Sequence, residues 1–308
     1  MPINCLKCNQ EAVYFRPYTA ESLCKACLVK TTLDRVRRTI NRNKMLRRDD
    51  RVGIAISGGK DSAVLLDVLN KIEQNYPKVE LLPFTIDEGI KGYRDEALKS
   101  ARKLTSSLGL NLEVRSFKEF FDYSLDEIVQ LRGDESIGAC SYCGVFRRQA
   151  INRTAKDLEM DVVATGHNMD DEAQTVIMNI MRGDTLKIAR THRSRDHPIR
   201  GLVPRIKPII ELSERDIVAY AYYEQLPYHD IPCPYHAEAY RNDVRLYLNE
   251  MEHKRPGTLL AILSSAETIT QALGQMPLSV EIGHCEKCGF PSSSNPCKAC
   301  SLLEEIGR

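Results

Sequence analysis

From Asp50 to Met181 the sequence alternates between short runs rich in valine, isoleucine and leucine and longer amphipathic ones, and no other feature restricts its fold as strongly. Val52-Gly53-Ile54-Ala55-Ile56-Ser57 has the length and composition of a buried strand, Asp61 to about Gln74 the period of a helix, and Glu80 to Ile86 the pattern of a second strand. A helix follows from about Lys91 to Leu108, then a third strand near Asn111 to Arg115, a helix from about Gly144, a fourth strand from Asp161 to Thr165, and a helix from Asp170 to Met181. Strands separated by helices of this length predict an α/β fold. Its parallel sheet is covered on both faces, and ligands bind beyond the carboxyl ends of the strands. With 308 residues, 43% of them hydrophobic, the chain can bury the core such a sheet needs.

The first strand-to-helix junction carries Ser57-Gly58-Gly59-Lys60-Asp61-Ser62. Its glycines let backbone N–H groups crowd an anion, and the following helix N-terminus adds partial positive charge, so the stretch reads as a phosphate cradle. It does not fit Gly-x4-Gly-Lys-Ser/Thr, because the glycine spacing is too short and an acid intrudes; ordinary P-loop kinase or GTPase chemistry is disfavoured. At the end of the fourth strand, Gly166-His167-Asn168-Met169-Asp170-Asp171 supplies a glycine for close backbone approach. Its two acids suit magnesium or the N-cap of the next helix, with capping the role expected of Asp170. His167 reads either as a site residue or as a half-buried histidine satisfied by its neighbours.

Eight of the eleven cysteines form two sets, Cys5-x2-Cys8 with Cys24-x2-Cys27 and Cys285-x2-Cys288 with Cys297-x2-Cys300. Four thiolates on two short knuckles suit a tetrahedral zinc with no open position, so each terminus is expected to fold around a structural ion. The expected organisation is a zinc module at 1–30, a basic helical linker at 31–50, the α/β domain at 51–255, a helical linker at 256–280 and a second zinc module at 281–308. Cys140, Cys143 and Cys233 remain outside both sets.

Charge is balanced overall, 43 Lys+Arg against 42 Asp+Glu, so any attraction to nucleic acid must come from local clustering. Two clusters qualify. Arg35 to Arg51 carries eight basic residues against Asp49 and Asp50, with Leu33, Val36, Ile40 and Met45 on one helical face; the turn-rich stretch after Arg182 carries Arg190, Arg193, Arg195, Arg200, Arg205 and Lys207. The chain shows neither a membrane-length apolar run nor a signal peptide, and its cysteine usage fits a reducing compartment, so a cytoplasmic location is expected.

Ser-Gly-Gly-x-Asp-Ser after the first strand resembles the PP-loop ATP pyrophosphatases, whose sheet domain is adenine nucleotide alpha hydrolase-like, and Gly166 to Asp171 is similar to that family's Gly-His-Asn-x-Asp-Asp. Within that class, the ordered set of both zinc sets, Ser57 to Ser62, Cys140 and Cys143, Gly166 to Asp171, and Cys233 in Ile-Pro-Cys-Pro-Tyr resembles the tRNA 2-thiouridine synthetases with a zinc module at each end, over essentially the whole chain. One departure is Ile206-Lys207-Pro208-Ile209, where a relative often shows Arg-Pro-Leu.

The resemblance implies ATP binding by Ala55, Ile56, Ser57, Gly58, Gly59, Asp61, Ser62, Ile86 and Gly166, with Arg147 placed to reach phosphate charge. It implies that Asp61 and Asp171 act with magnesium, and that Cys140, Cys143 and Cys233 hold a 4Fe-4S cluster with one iron open. The expected reaction has the C2 oxygen of a tRNA uridine attack the α-phosphate of ATP, after which sulfur from the open iron displaces AMP. The wobble uridine is favoured because it is unpaired, with a T-loop uridine the alternative. Rival readings of the three cysteines are a persulfide carrier with a resolving partner, or a further zinc completed by His229 or His236. Rival readings of the chain are another PP-loop enzyme, such as an amidotransferase-type synthetase or a lysidine-forming enzyme, or a non-catalytic zinc-ribbon RNA-binding protein. Expected partners are tRNA, a sulfur donor (free sulfide, a desulfurase or a ubiquitin-like thiocarboxylate carrier) and a second copy of the chain in a homodimer.

Overall fold

The structure, a computed structural model, describes residues 3–74, 79–133, 137–188, 195, 200–238, 241–273 and 282–307. An antiparallel hairpin of β1 (Tyr14–Arg16) and β2 (Glu21–Leu23) leads through the N-cap Cys24 into α1 (Lys25–Arg42). That single helix carries both the last cysteine of the first set and the first half of the basic run, Arg35 to Arg42, so the two are rigidly joined. The α/β domain then runs β3 (Arg51–Ala55), α2 (Lys60–Glu73), β4 (Glu80–Asp87), α3 (Tyr93–Ser107), β5 (Glu113–Ser116), α4 (Phe117–Phe121), α5 (Leu125–Leu131), α6 (Ala139–Asp157), β6 (Val162–Thr165), α7 (Met169–Met181), α8 (Thr185–Ile188), β7 (Arg205–Ile206), α9 (Glu214–Tyr223) and α10 (Arg241–Lys254). The chain closes with α11 (Thr258–Leu273), the hairpin β8 (Gly283–His284) and β9 (Pro291–Ser292), and α12 (Lys298–Ile306).

The central sheet has the order β5-β4-β3-β6-β7 and is parallel throughout. After β3 the chain builds outwards through β4 to β5, then returns to lay β6 on the other side of β3. This puts a topological switch point between β3 and β6, where loops diverge and leave a crevice. Both faces are covered. Val52 and Ile54 pack with Val64, Leu65 and Val68 of α2 and Ile217 and Tyr220 of α9, whereas Phe84, Ile86 and Val163 pack with Phe117 of α4 and Phe146 and Ala150 of α6.

Two features differ from the sequence reading. The helix expected from about Gly144 begins at Ala139, because Ala139, Tyr142, Phe146 and Ala150 recur at helical spacing and are all buried; Cys140 and Cys143 therefore sit in its first turns. The turn-rich stretch contributes a fifth strand, β7, which pairs Arg205 with Val163 and Ile206 with Ala164 and is too short to show any period. Arg190, Arg193 and Pro198 of that stretch, and 274–280 of the expected second linker, lie outside the described residues.

Both terminal modules lean on the sheet domain. Leu23 and Leu28 meet Ala219 and Tyr223 of α9, and Ala299, Leu302 and Ile306 of α12 join the core beneath α6. The N-terminal contact centres on Arg16 and Asp216, both fully buried, with Arg16 Nε 2.7 Å from Asp216 Oδ1. The Tyr14 hydroxyl donates to that oxygen at 3.1 Å and the Tyr18 hydroxyl to the other, while Asp216 also closes the N-terminal box of α9 with Ser213. Removing one partner of such a pair strands a charge away from water. Asp216→Ala is expected to destabilise the protein by about 3–5 kcal/mol, read as a fall in the urea midpoint, with Arg215→Ala, on the exposed side of the same helix, within about 0.5 kcal/mol of the parent.

Candidate active site

The loop after β3 is held by its own side chains. Ser62 Oγ donates to Gly59 O at 2.9 Å and accepts the Ser57 N–H at 3.2 Å, and the His229 N–H donates to Gly58 O at 2.8 Å. Gly58 has φ +91°, and a Cβ there would lie 2.4 Å from Ala97 O, so this position admits only glycine. Gly59 is the N-cap of α2, and the first-turn N–H groups that follow have no partner inside the helix. The result is a stiff cradle with helix-dipole charge at its mouth.

The loop after β6 presses against it. A Cβ on Gly166 would stand 3.1 Å from both Asp61 C and Ser62 N, so the two loops meet backbone to backbone. Asn168 Nδ2 donates to Asp61 Oδ1 at 2.7 Å, and Lys60 Nζ spans Asp61 Oδ2 at 3.1 Å and Glu214 Oε1 at 2.8 Å. The N-cap of α7 is Asn168, which exchanges bonds with Asp171 in a capping box. Asp170 does not cap its own helix as expected; its carboxylate instead receives the Glu214 N–H at 2.8 Å, at the start of α9. Burial pushes Asp170 up to about 6 and raises Asp61 and Asp171 above the usual carboxylate range, against the pull of Lys60 and Arg241 respectively. His167 is driven down to about 4, first by burial and then by Lys207, and its Nδ1 lies 2.9 Å from Thr165 Oγ1.

A buried carboxylate, Glu88, joins this cradle to the cysteines. Its Oε2 lies 2.9 Å from Arg94 Nε and its Oε1 2.7 Å from Arg147 Nε. Arg94 in turn donates to Ser57 O at 2.8 Å, Thr85 Oγ1 at 2.9 Å and Ile86 O at 3.0 Å. Arg147 donates to Cys143 Sγ at 3.0 Å, and the Glu88 carboxylate holds its guanidinium more firmly protonated than usual. Arg147 thus faces the cysteines in this structure, and the Ile86 carbonyl is engaged by Arg94. Sequence reasoning overlooked the roles of Lys60, Glu88, Arg94 and Asn168. The Asn-x-x-Asp spacing did signal a capping box; nothing local distinguishes Arg94 from a solvated helix arginine.

Cys140 and Cys143 on α6 meet the turn after Cys233, with Cys140 Sγ 3.4 Å from Tyr235 O and Cys233 packed against the same core as Cys143. Burial pushes the Cys143 thiol up to about 11 against the pull of Arg147. Among the described residues, the groups of metal-type donors lying within 4.8 Å of one another are the two terminal sets alone. Cys140, Cys143 and Cys233 do not form such a group as placed, with or without His229 or His236. Thiolates are the ligands that iron–sulfur clusters take, so the donor chemistry of the three fits such a cluster.

The terminal sets fit zinc. Cys8 and Cys24 sulfurs are 3.5 Å apart, Cys288 and Cys297 3.6 Å, and Cys285 and Cys300 3.8 Å. Backbone N–H groups point at Cys5, Cys24 and Cys285, and that of Cys297 leads those bringing the Cys285 thiol down to about 6.

Residues 30–252 match the PP-loop domain family, the class that this switch-point crevice and its two loops define. Cytoplasmic tRNA 2-thiolation protein 1 of Drosophila pseudoobscura pseudoobscura is 40% identical over 311 residues, spanning 100% of this chain and 89% of the relative. Its counterpart in Drosophila mojavensis is 40% identical over 312 residues with the same shares. The solved structure of the U34-tRNA thiolase NcsA from Methanococcus maripaludis, with its 4Fe-4S cluster, is 32% identical with a TM-score of 0.86, over 100% of this chain and 98% of that one. The chain belongs to the cytoplasmic tRNA 2-thiolation protein 1 family of PP-loop proteins.

Glu88→Gln keeps the shape but leaves two guanidiniums without their charge partner, so ATP affinity is expected to fall about tenfold or more in a binding titration, whereas Glu113→Gln at the exposed sheet edge leaves it unchanged. The buried Asp170 gives a pH signature. The unfolded chain releases this proton near 3.8 and the folded one only near 6, so this contribution to stability is lost as pH rises through that window. Asp170→Asn, which can still accept the Glu214 N–H, is expected to flatten that part of a denaturation-versus-pH profile.

Proposed function

We propose that this chain is an ATP-dependent tRNA thiolase of the cytoplasm that converts the wobble uridine to 2-thiouridine. The observation that carries the reading is the Glu88 link, which ties a phosphate cradle through Arg147 to Cys143 and its neighbouring cysteines. A PP-loop synthetase without sulfur chemistry has no use for the second half of that arrangement. The names of the relatives, and the U34 specificity and cluster in the name of the solved thiolase, support the finer assignment.

In the first step the uridine C2 oxygen forms a bond to the α-phosphorus of ATP as the bond to the bridging oxygen breaks, and pyrophosphate leaves with its electron pair. The first-turn amides at the N-terminus of α2, Lys60 and Asp61, accept that charge, while the Ser57 and Gly59 amides brace the loop against Ser62 Oγ and Ser57 Oγ. Asp61 and Asp171, close enough that the charge of Asp171 raises Asp61, would hold the magnesium of the nucleotide. Lys60 and Asn168 keep the Asp61 carboxylate oriented. In the second step a sulfur nucleophile bonds to C2 and AMP departs. Cys140, Cys143 and Cys233 would hold a 4Fe-4S cluster, which when bound supplies sulfur at the iron no cysteine ligates. Arg147 supplies positive charge beside Cys143 and steadies a thiolate there. The two terminal sets would each hold a structural zinc, and free sulfide, a desulfurase or a ubiquitin-like carrier would replenish the sulfur of a homodimer.

Nucleoside mass spectrometry of tRNA from cells carrying only Asp61→Ala should show loss of wobble 2-thiouridine; an unchanged level would sink the catalytic role. Anaerobically purified protein should contain iron and sulfide with visible absorption, and Cys143→Ala should lose both. Full thiolation by iron-free protein would instead establish the persulfide route.

A further inference from the structure

A cavity of about 860 Å³ opens off the β7 edge of the sheet, between α6, α11 and the C-terminal zinc module. It adjoins the proposed reacting centre across α6: Val145, Arg148 and Asn152 line the cavity, while the Arg148 guanidinium leans back beside Gly144, within reach of the Arg147 and Cys143 charges. A chain with net charge +1 places six cationic side chains and two carboxylates around this one space. They come from every basic region of the sequence: Arg42 ends α1, Arg195, Arg205 and Lys207 belong to the turn-rich stretch, and Lys298 opens α12 in the zinc module.

Three of the six are already neutralised. Arg42 pairs with Glu211, Arg195 with Asp50, and Lys207 with Glu172 at 2.6 Å. Arg148, Arg205 and Lys298 have no carboxylate partner among the described residues, and the nearest contact of Arg205 Nη2 is the Arg148 carbonyl at 2.6 Å. Burial, and then the Arg148 charge, bring Arg205 down to about 10. Arg205 thus brings its guanidinium to the Arg148 backbone at the cavity lining, and neither it nor Lys298 has a carboxylate to answer its charge among the described residues. Leu260 and Leu263 of α11 and Phe290 of the zinc module add apolar lining. The size is that of a pocket for a small organic ligand or a nucleotide.

We propose that this cavity seats a segment of the tRNA backbone away from the target uridine, its phosphodiesters on Arg148, Arg205 and Lys298 and an unpaired base against the apolar lining. The C-terminal zinc module is then one jaw of an RNA clamp. This rests on the thiolase reading and goes beyond it by naming the docking site. Guanidiniums match carboxylates as well as phosphates; RNA is the better occupant because the relatives act on tRNA and because Phe290 in the lining offers a ring on which an unpaired base can stack.

The test measures binding of an unmodified tRNA transcript to the full-length, zinc-loaded protein across a salt series, for the parent, Arg148→Ala, Lys298→Ala, their double variant, and Arg102→Ala on exposed α3 as control. Each cavity substitution should weaken binding about threefold and lower the log–log salt slope by about 0.7–0.9, with ATP affinity and zinc content unchanged. Parent-like affinity and slope in the double variant would overturn the proposal while leaving the thiolase reading intact. A parent protein that binds no tRNA would overturn that reading instead. Polyglutamate binding lost in the double variant, with tRNA binding retained, would assign the cavity to an acidic protein and likewise overturn it.

Discussion

The contact of Gly166 with the Asp61–Ser62 peptide is the interaction on which the rest of the site depends. A Cβ at 3.1 Å from two backbone atoms would press the loops after β3 and β6 slightly apart, and with them the cradle from Asp170 and Asp171. That contact exists because β6 lies beside β3 and parallel to it, so both strands point their carboxyl ends at one crevice. Asn168 then does two things from one position: it caps α7 and fixes Asp61. Local helix chemistry and site geometry are met by the same side chain.

Charge is arranged in linked pairs around this contact. Glu88 is the hinge of the arrangement, since its two oxygens bind guanidiniums that reach in opposite directions, one to the Ser57 carbonyl and one to Cys143. A buried carboxylate between two arginines is a poor choice for stability alone, because desolvation offsets most of the attraction. It is a good choice for holding two loops in fixed register. Arg16 and Asp216 play the same part at the N-terminal module, with two tyrosine hydroxyls completing the shell of the acid.

The terminal modules differ in what they touch. The first docks on α9 and continues into a basic helix; the second docks on α6, the helix that presents Cys140 and Cys143, and Gln149 of that helix reaches the Cys288 sulfur at 3.6 Å. The C-terminal cysteine set therefore touches the helix that carries Cys140 and Cys143, and the cavity behind it.

Much of this was legible in residues that act locally. The strand-helix alternation, the glycine loop, the Gly166 to Asp171 turn and the doubled cysteine knuckles each have a short-range physical cause, and the structure places them as that cause requires. The start of α6 was misjudged because a Cys-x2-Cys spacing suggests a knuckle, although the apolar period from Ala139 was present. What the chain alone could not reveal are encounters between distant segments: Glu88 with Arg147, Asp170 with the amide of Glu214, and Arg205 with the Arg148 carbonyl at a shared cavity. Those depend on the order in which strands pair, and a two-residue strand such as β7 has no period to announce its place. Sequence dictates the chemistry each segment can offer, because that is set by neighbours one helical turn away; only tertiary structure decides which chemistries meet, because burial and charge pairing are settled by segments 44 to 200 residues apart.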